Sequence, residues 1–253
     1  MTDSVEAQAL GEIETLPTNN ITRIFRHVDR LPPVSVGGGC MWMAARLAKL
    51  LRQRKPGIAI THYDLGSPGS HTTIVSDDGT GRLLYEPSLF QVQPFPLAVF
   101  EADPTQCYSD THPVNVQFPA RLKFTWITPG KVLEMALVSV RGYPNRAFQY
   151  LVDPPQPVVV NEDDPYGGLP FIDQQEQVYV YALAPDGSKH SVTMNVRTRR
   201  INVARVGDRM YVDSEPGFGS RFERFAERVG LSEHELRTML GEAVEIHNGV
   251  YKI

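Results

Sequence analysis

The period of the apolar residues changes at Pro56-Gly57, and this change constrains the fold more than any other feature of the chain. Before it, apolar residues recur at three and four, the spacing of a helix with one buried face. Ile21, Ile24, Phe25, Val28 and Leu31 share such a face, with Asn20 placed to cap the helix and Pro32-Pro33 to stop it. Cys40, Ala44, Leu47, Ala48 and Leu51 make the stripe of a second helix, Met41 to about Arg54, whose closing arginines suit the negative end of the dipole. From Ile58 the period is two. Ile58-Ala59-Ile60, His71 to Ser76 and Arg82 to Glu86 read as short strands, the last two joined by the five-residue turn Asp77-Asp78-Gly79-Thr80-Gly81. The stretch from His62 to Ser70 reads as a loop, and residues 1 to about 18 as a weakly ordered lead-in.

Further strands are expected at Val114 to Phe118, Arg121 to Trp126, Val132 to Val140 and Phe148 to Val152, although KVLEMALV would also make a helix. The proline-rich stretch from Asp153 to Pro170 reads as a long surface connection. Strands return in QVYVYAL, SVTMNV, RRINVARV and DRMYVDS. Two helices follow, Arg221 to Val229 and one opened by Ser232 and Glu235 as a capping box, with Leu231 and Leu236 as its hydrophobic staple. In chain order this divides into a helical segment (1–57), a β-rich domain (58–155) and an α/β domain (156–253).

Composition serves mainly to exclude. A net charge of -4 spread along the chain gives no electrostatic footprint for nucleic acid or an anionic membrane. Two cysteines, Cys40 and Cys107, make neither a disulfide framework nor a zinc spacing, so no metal is expected. The acidic start lacks a basic region and an apolar core, and no stretch approaches the roughly 20 apolar residues of a membrane span. A cytoplasmic protein with free thiols is the expectation.

Cys40 is the candidate nucleophile. Gly37-Gly38-Gly39 delivers it to a helix start, where main-chain N–H groups and the dipole stabilise a thiolate. The alternative is a small apolar side chain at the edge of a core. A nucleophilic cysteine needs a base and that base an orienting group. His71, 31 residues on, opens one strand of the hairpin, and Glu86, 15 residues later, closes the other. His62 and Asp64 are the rivals for base and acid. Cys107 with His112 is a weaker second pair, without a glycine turn. Met41-Trp42-Met43 is read as core, or else as a soft patch for an acyl chain. Arg197, Arg199 and Arg200 are a solvated strand face, or else a contact for a phosphate.

These residues resemble the transglutaminase-like cysteine superfamily, and within it the arylamine N-acetyltransferases most. Gly37-Gly38-Gly39-Cys40 matches that family's glycine-glycine-x-cysteine motif, and the final helix followed by Ala243-Val244-Glu245-Ile246 is similar to its C-terminus. Val36 stands where the motif usually has arginine, Met41-Trp42 where it has an aromatic-glutamate pair, and Glu86 where it has aspartate. Tyr85-Glu86-Pro87-Ser88 is nearer the transglutaminase segment. The resemblance implies an α+β fold: N-terminal helices carrying the cysteine, an antiparallel β-barrel or sheet, and a C-terminal α/β lid around a papain- or transglutaminase-like core. It implies Cys40 as nucleophile, His71 as base and then acid, and Glu86 as orienter. The implied chemistry is acyl transfer through a Cys40 thioester to an amine, an amide synthase activity. No cofactor is bound permanently; acyl-CoA or an acyl-carrier protein brings the acyl group, and the partners are small molecules with a carrier protein as an option. A thiol hydrolase or peptidase and a catalytically silent binding module are the alternatives.

Overall fold

The structure is a computed structural model that describes residues 4–64, 71–89, 91–102, 107–110, 120–128, 132–139, 144–151, 157–166, 176–205 and 208–251. Its helices are α1 (Val5–Glu14), α2 (Ile21–Arg26), α3 (Cys40–Arg54), α4 (Leu97–Ala102), α5 (Phe218–Arg228) and α6 (Glu233–Tyr251). The strands are β1 (Thr18–Asn19), β2 (Ala59–Asp64), β3 (Thr72–Asp77), β4 (Arg82–Tyr85), β5 (Phe95–Pro96), β6 (Cys107–Asp110) and β7 (Ala120–Thr128). They continue with β8 (Val132–Ser139), β9 (Pro144–Leu151), β10 (Pro157–Val158), β11 (Gln177–Leu183), β12 (Lys189–Asn195), β13 (Ile201–Arg205) and β14 (Tyr211–Val212). The chain folds as α+β, in two compact units interleaved along the sequence. One contains α1, α3, α4 and β2 to β10; the other contains β1, α2, β11 to β14, α5 and α6.

In the first unit, α3 buries Met43, Ala44, Leu47, Ala48 and Leu51 against β3, α1 and the 3-10 turn Pro87–Leu89. The segment expected as a loose lead-in is therefore an ordered helix over much of its length. Its acids hid it: Glu6 and Glu12 break up the apolar pattern, yet Lys55 donates to Glu6 at 2.7 Å and Arg54 pairs with Glu12, while Leu10 and Ile13 fill the core. The sheet runs β10-β2-β3-β4-β5, antiparallel throughout. β2 continues through His62, Tyr63 and Asp64, where a loop was expected, because all three pair with β3. The β3–β4 connection has four residues rather than five, since Asp77 pairs with Arg82. A second antiparallel sheet, β6-β7-β8-β9, settles the ambiguous segment as strand from Val132 to Ser139. Val114 to Phe118 lies outside the described residues. Among the described residues no sheet closes into a barrel.

The second unit is the antiparallel sheet β1-β11-β12-β13-β14 with α2, α5 and α6 on one face. Val178, Val180 and Ala182 alternate inward along β11, and Phe222, Phe225 and Leu240 meet them from the helices. α2 is shorter than its apolar spacing predicts, leaving Val28 and Leu31 exposed at 44% and 66%. Its start is secured by Asn19, whose Oδ1 accepts from the Thr22 N–H and hydroxyl; Asn20, the expected cap, instead bridges Gln177 and Tyr179 of β11. The capping box holds: Ser232 N–H donates to Glu235 at 2.7 Å and Glu235 N–H to Ser232 Oγ at 3.2 Å. Ala243 to Ile246 lies inside α6 rather than after it.

The glycine turn belongs to this unit. Gly37 has a φ of 73°, and a Cβ there would lie 1.7 Å from the Pro17 carbonyl oxygen. The turn is tied to residues 17–22 by Gly38 N–H on the Pro17 carbonyl, Asn19 N–H on the Gly38 carbonyl and the Thr22 hydroxyl on the Gly37 carbonyl. Gly37→Ala is expected to lower the unfolding free energy by about 3 kcal/mol or more, from overlap added to left-handed strain. Gly79→Ala, at φ 81° with nothing within 4 Å, should lose only about 1 kcal/mol. Urea unfolding of both variants checks this, and equal losses would contradict the close approach.

Candidate active site

One helix start and the two strands of a hairpin, all in the first unit, come together at Cys40. Cys40 is the first residue of α3, so its main-chain N–H has no partner within the helix. His71 immediately precedes β3 and Glu86 immediately follows β4, so the hairpin brings them together. The His71 Nε2 and Glu86 Oε2 atoms are 2.7 Å apart, with His71 2% and Glu86 0% exposed. Because Nε2 is engaged by the carboxylate, Nδ1 is left for the Cys40 sulfur, which hydrogen-bonds the ring and also accepts from the Thr72 main-chain N–H.

A carboxylate buried this deeply requires hydrogen bonds on both oxygens. Ser88 Oγ donates to Glu86 Oε1 at 2.6 Å, and the Glu86 N–H donates to Gln91 Oε1 at 2.7 Å. Ser88 stands in the segment already noted for its transglutaminase likeness, but nothing in the spacing assigned it a contact. Gln91 carried no signal at all, since a side chain five residues along an irregular loop belongs to no period.

The charges favour an ion pair. Burial alone would raise the Cys40 thiol, but the hydrogen bond and charge of His71, with the Thr72 N–H, outweigh it and bring the thiol below its ordinary range despite the Glu86 charge. Burial alone would depress His71; the Glu86 charge, then hydrogen bonds to Cys40 and Glu86, push it up to about 10. The two shifts are mutual: His71 lowers the Cys40 thiol, and Cys40 helps to raise the His71 imidazole.

His62 is 5% exposed on β2, opposite Ile74 and Val158, and its Nε2 has no hydrogen-bond partner. Burial, then the Arg52 charge, lowers its pKa against the pull of Glu162. Asp64 closes β2, and its side chain lies outside the described residues, as do His112 and the side chain of Cys107 in β6. Met41 and Met43 are core, while Trp42 has the Arg46 guanidinium 5.5 Å from its ring centroid. Two of the three clustered arginines have acids of their own, Arg197 with Glu176 and Arg199 with Glu245. Among the described residues, no three His, Cys, Asp or Glu side chains gather to hold a metal ion. No described helix is long and apolar enough to cross a membrane.

Among solved structures, the arylamine N-acetyltransferase from Mycobacterium abscessus superposes with a TM-score of 0.57, covering 95% of this chain and 87% of that one at 14% identity. The chain has the arylamine N-acetyltransferase fold. The enzyme of that name from Salmonella typhimurium agrees, with a TM-score of 0.56 over 92% of this chain and 89% of its own at 12% identity. No family model matches the sequence. No curated protein does either. At these identities the acetyltransferase likeness is one of backbone course alone.

The ion pair predicts how Cys40 reacts with iodoacetamide. Its rate should rise with pH through a midpoint below that of an ordinary thiol. In His71→Asn, with the burial penalty no longer offset, the midpoint should climb by about 2 units or more. A wild-type midpoint in the ordinary thiol range would contradict the pairing.

Proposed function

We propose that this protein is a cysteine-dependent acyltransferase that forms an amide through an acyl thioester on Cys40. The observation that carries the reading is the hydrogen-bonded chain from Cys40 through His71 to Glu86, built at the start of α3. The fold shared with two enzymes named as arylamine N-acetyltransferases supports transfer to an amine as the reaction class. The acyl donor is a thioester, of CoA or of an acyl-carrier protein, and the acceptor a small amine. A reducing compartment such as the cytosol suits a thiol of this kind.

The steps follow from the charge states. The Cys40 thiolate adds to the thioester carbonyl carbon, and the carbonyl π pair moves onto oxygen. The Cys40 N–H, at the positive end of the α3 dipole, is one donor for that oxyanion. Collapse breaks the bond to the donor sulfur, which takes the proton from the His71 imidazolium. Acyl-Cys40 and a neutral imidazole remain. The amine then adds to the acyl carbon and gives its proton to His71; collapse expels the Cys40 thiolate, releasing the amide and restoring the ion pair. Throughout, Glu86 holds Nε2 so that Nδ1 keeps facing the reaction.

Intact-mass measurement after mixing with a panel of acyl-CoA thioesters tests this. Wild type should gain the mass of one acyl group and Cys40→Ala none, and small amines should discharge the adduct at least about tenfold faster than buffer. An adduct that decays equally with and without amines would make the protein a thiol hydrolase. No adduct from the whole panel would overturn acyl transfer and favour a binding module.

A further inference from the structure

We propose that Ser88 is a positioning residue for this site, fixing the Glu86 carboxylate so that His71 presents Nδ1, and not Nε2, to Cys40. The proposal rests on the reading of Cys40 as the nucleophile. Glutamate has one more side-chain torsion than aspartate, so its carboxylate can swivel about an extra bond unless something holds it. Here each oxygen has its own partner: Oε2 takes the His71 ring at 2.7 Å and Oε1 the Ser88 hydroxyl at 2.6 Å. The main chain is held as well, through the Glu86 N–H on Gln91 Oε1, and Gln91 is fully buried.

The position of Ser88 follows from the backbone. Pro87 fixes its own φ directly after Glu86 and opens the 3-10 turn Pro87–Leu89, which closes with Leu89 N–H donating to the Glu86 carbonyl at 3.3 Å. That turn folds residue 88 back over the side chain of residue 86. It is also the segment on which α3 packs, so the helix that starts at Cys40 and the turn that aims Glu86 are parts of one packed layer. Ser88 touches no reacting atom. It acts on the sulfur through three hydrogen bonds in series, Ser88 to Glu86, Glu86 to His71 and His71 to Cys40.

A hydroxyl that only satisfied a buried carboxylate would affect stability and leave Cys40 untouched. A positioning hydroxyl moves the protonation of the thiol, because a carboxylate that swings off Nε2 no longer supports the imidazolium that supports the thiolate. The test is the pH profile of Cys40 alkylation by iodoacetamide on the intact protein, with near-ultraviolet circular dichroism confirming native packing. Ser88→Ala should raise the midpoint by about half a unit to one unit, slowing alkylation about three- to tenfold below it. Ser88→Thr, which keeps the hydroxyl, should restore the wild-type profile. In a Glu86→Gln background, Ser88→Ala should add no further shift, since its route to the sulfur is already cut. A Ser88→Ala profile that coincides with wild type, or a shift of equal size in the Glu86→Gln background, would overturn the positioning role. An ordinary midpoint in the wild type itself would overturn the nucleophile, and the role of Ser88 with it.

Discussion

The buried contact between Glu86 and His71 is the constraint on which the first unit is built. A carboxylate taken out of water costs several kcal/mol unless hydrogen bonds and charge offset the loss. The chain meets that cost locally, with His71 and Ser88 on the two oxygens and Gln91 on the main-chain N–H. Each partner requires its own piece of structure. His71 has to head β3, so the β3–β4 register must bring residue 71 to residue 86, and the four-residue turn Asp78 to Gly81 sets that register. The turn is in turn braced by the Asp78 carboxylate, which accepts from Thr80 N–H at 2.9 Å and Gly81 N–H at 3.2 Å and pairs with Lys55 at the far end of α3.

Cys40 completes this arrangement at the opposite end of the same helix. Lys55 follows the last turn of α3 and Cys40 opens its first, so one helix is fastened near both ends of the hairpin it covers. The glycines before Cys40 have a role other than admitting substrate at Gly37. That residue makes room for the Pro17 carbonyl, and the turn is hydrogen-bonded into the second unit. Their service to chemistry is to bring the chain out of a pinned turn and directly into a helix start.

Much of this could be read in the sequence, for reasons that separate the successes from the failures. α3, the β3–β4 hairpin, the capping box at Ser232 and the α5 stripe all announce themselves by period or by short fixed spacing, and they stand in the structure. The grouping of Cys40, His71 and Glu86 was legible because a hairpin converts sequence spacing into proximity. α1 was missed because its acids are neutralised by residues 42 and 49 positions away, which no local pattern reveals. His62 was taken for a loop residue because Gly66, Pro68 and Gly69 follow so closely, yet pairing with β3 carries β2 to Asp64. Ser88 and Gln91 act within an irregular segment, where contacts depend on the path of the backbone rather than on a repeat.

The proposed chemistry requires the thiol and the imidazole to be charged together in the resting protein. Nitrogen-15 NMR of the His71 ring tests it most directly. At pH 7.5, well above the ordinary histidine range, the ion pair predicts a doubly protonated ring in wild type, with deprotonation only as pH rises toward about 10. A neutral His71 ring in the wild type at that pH would contradict it.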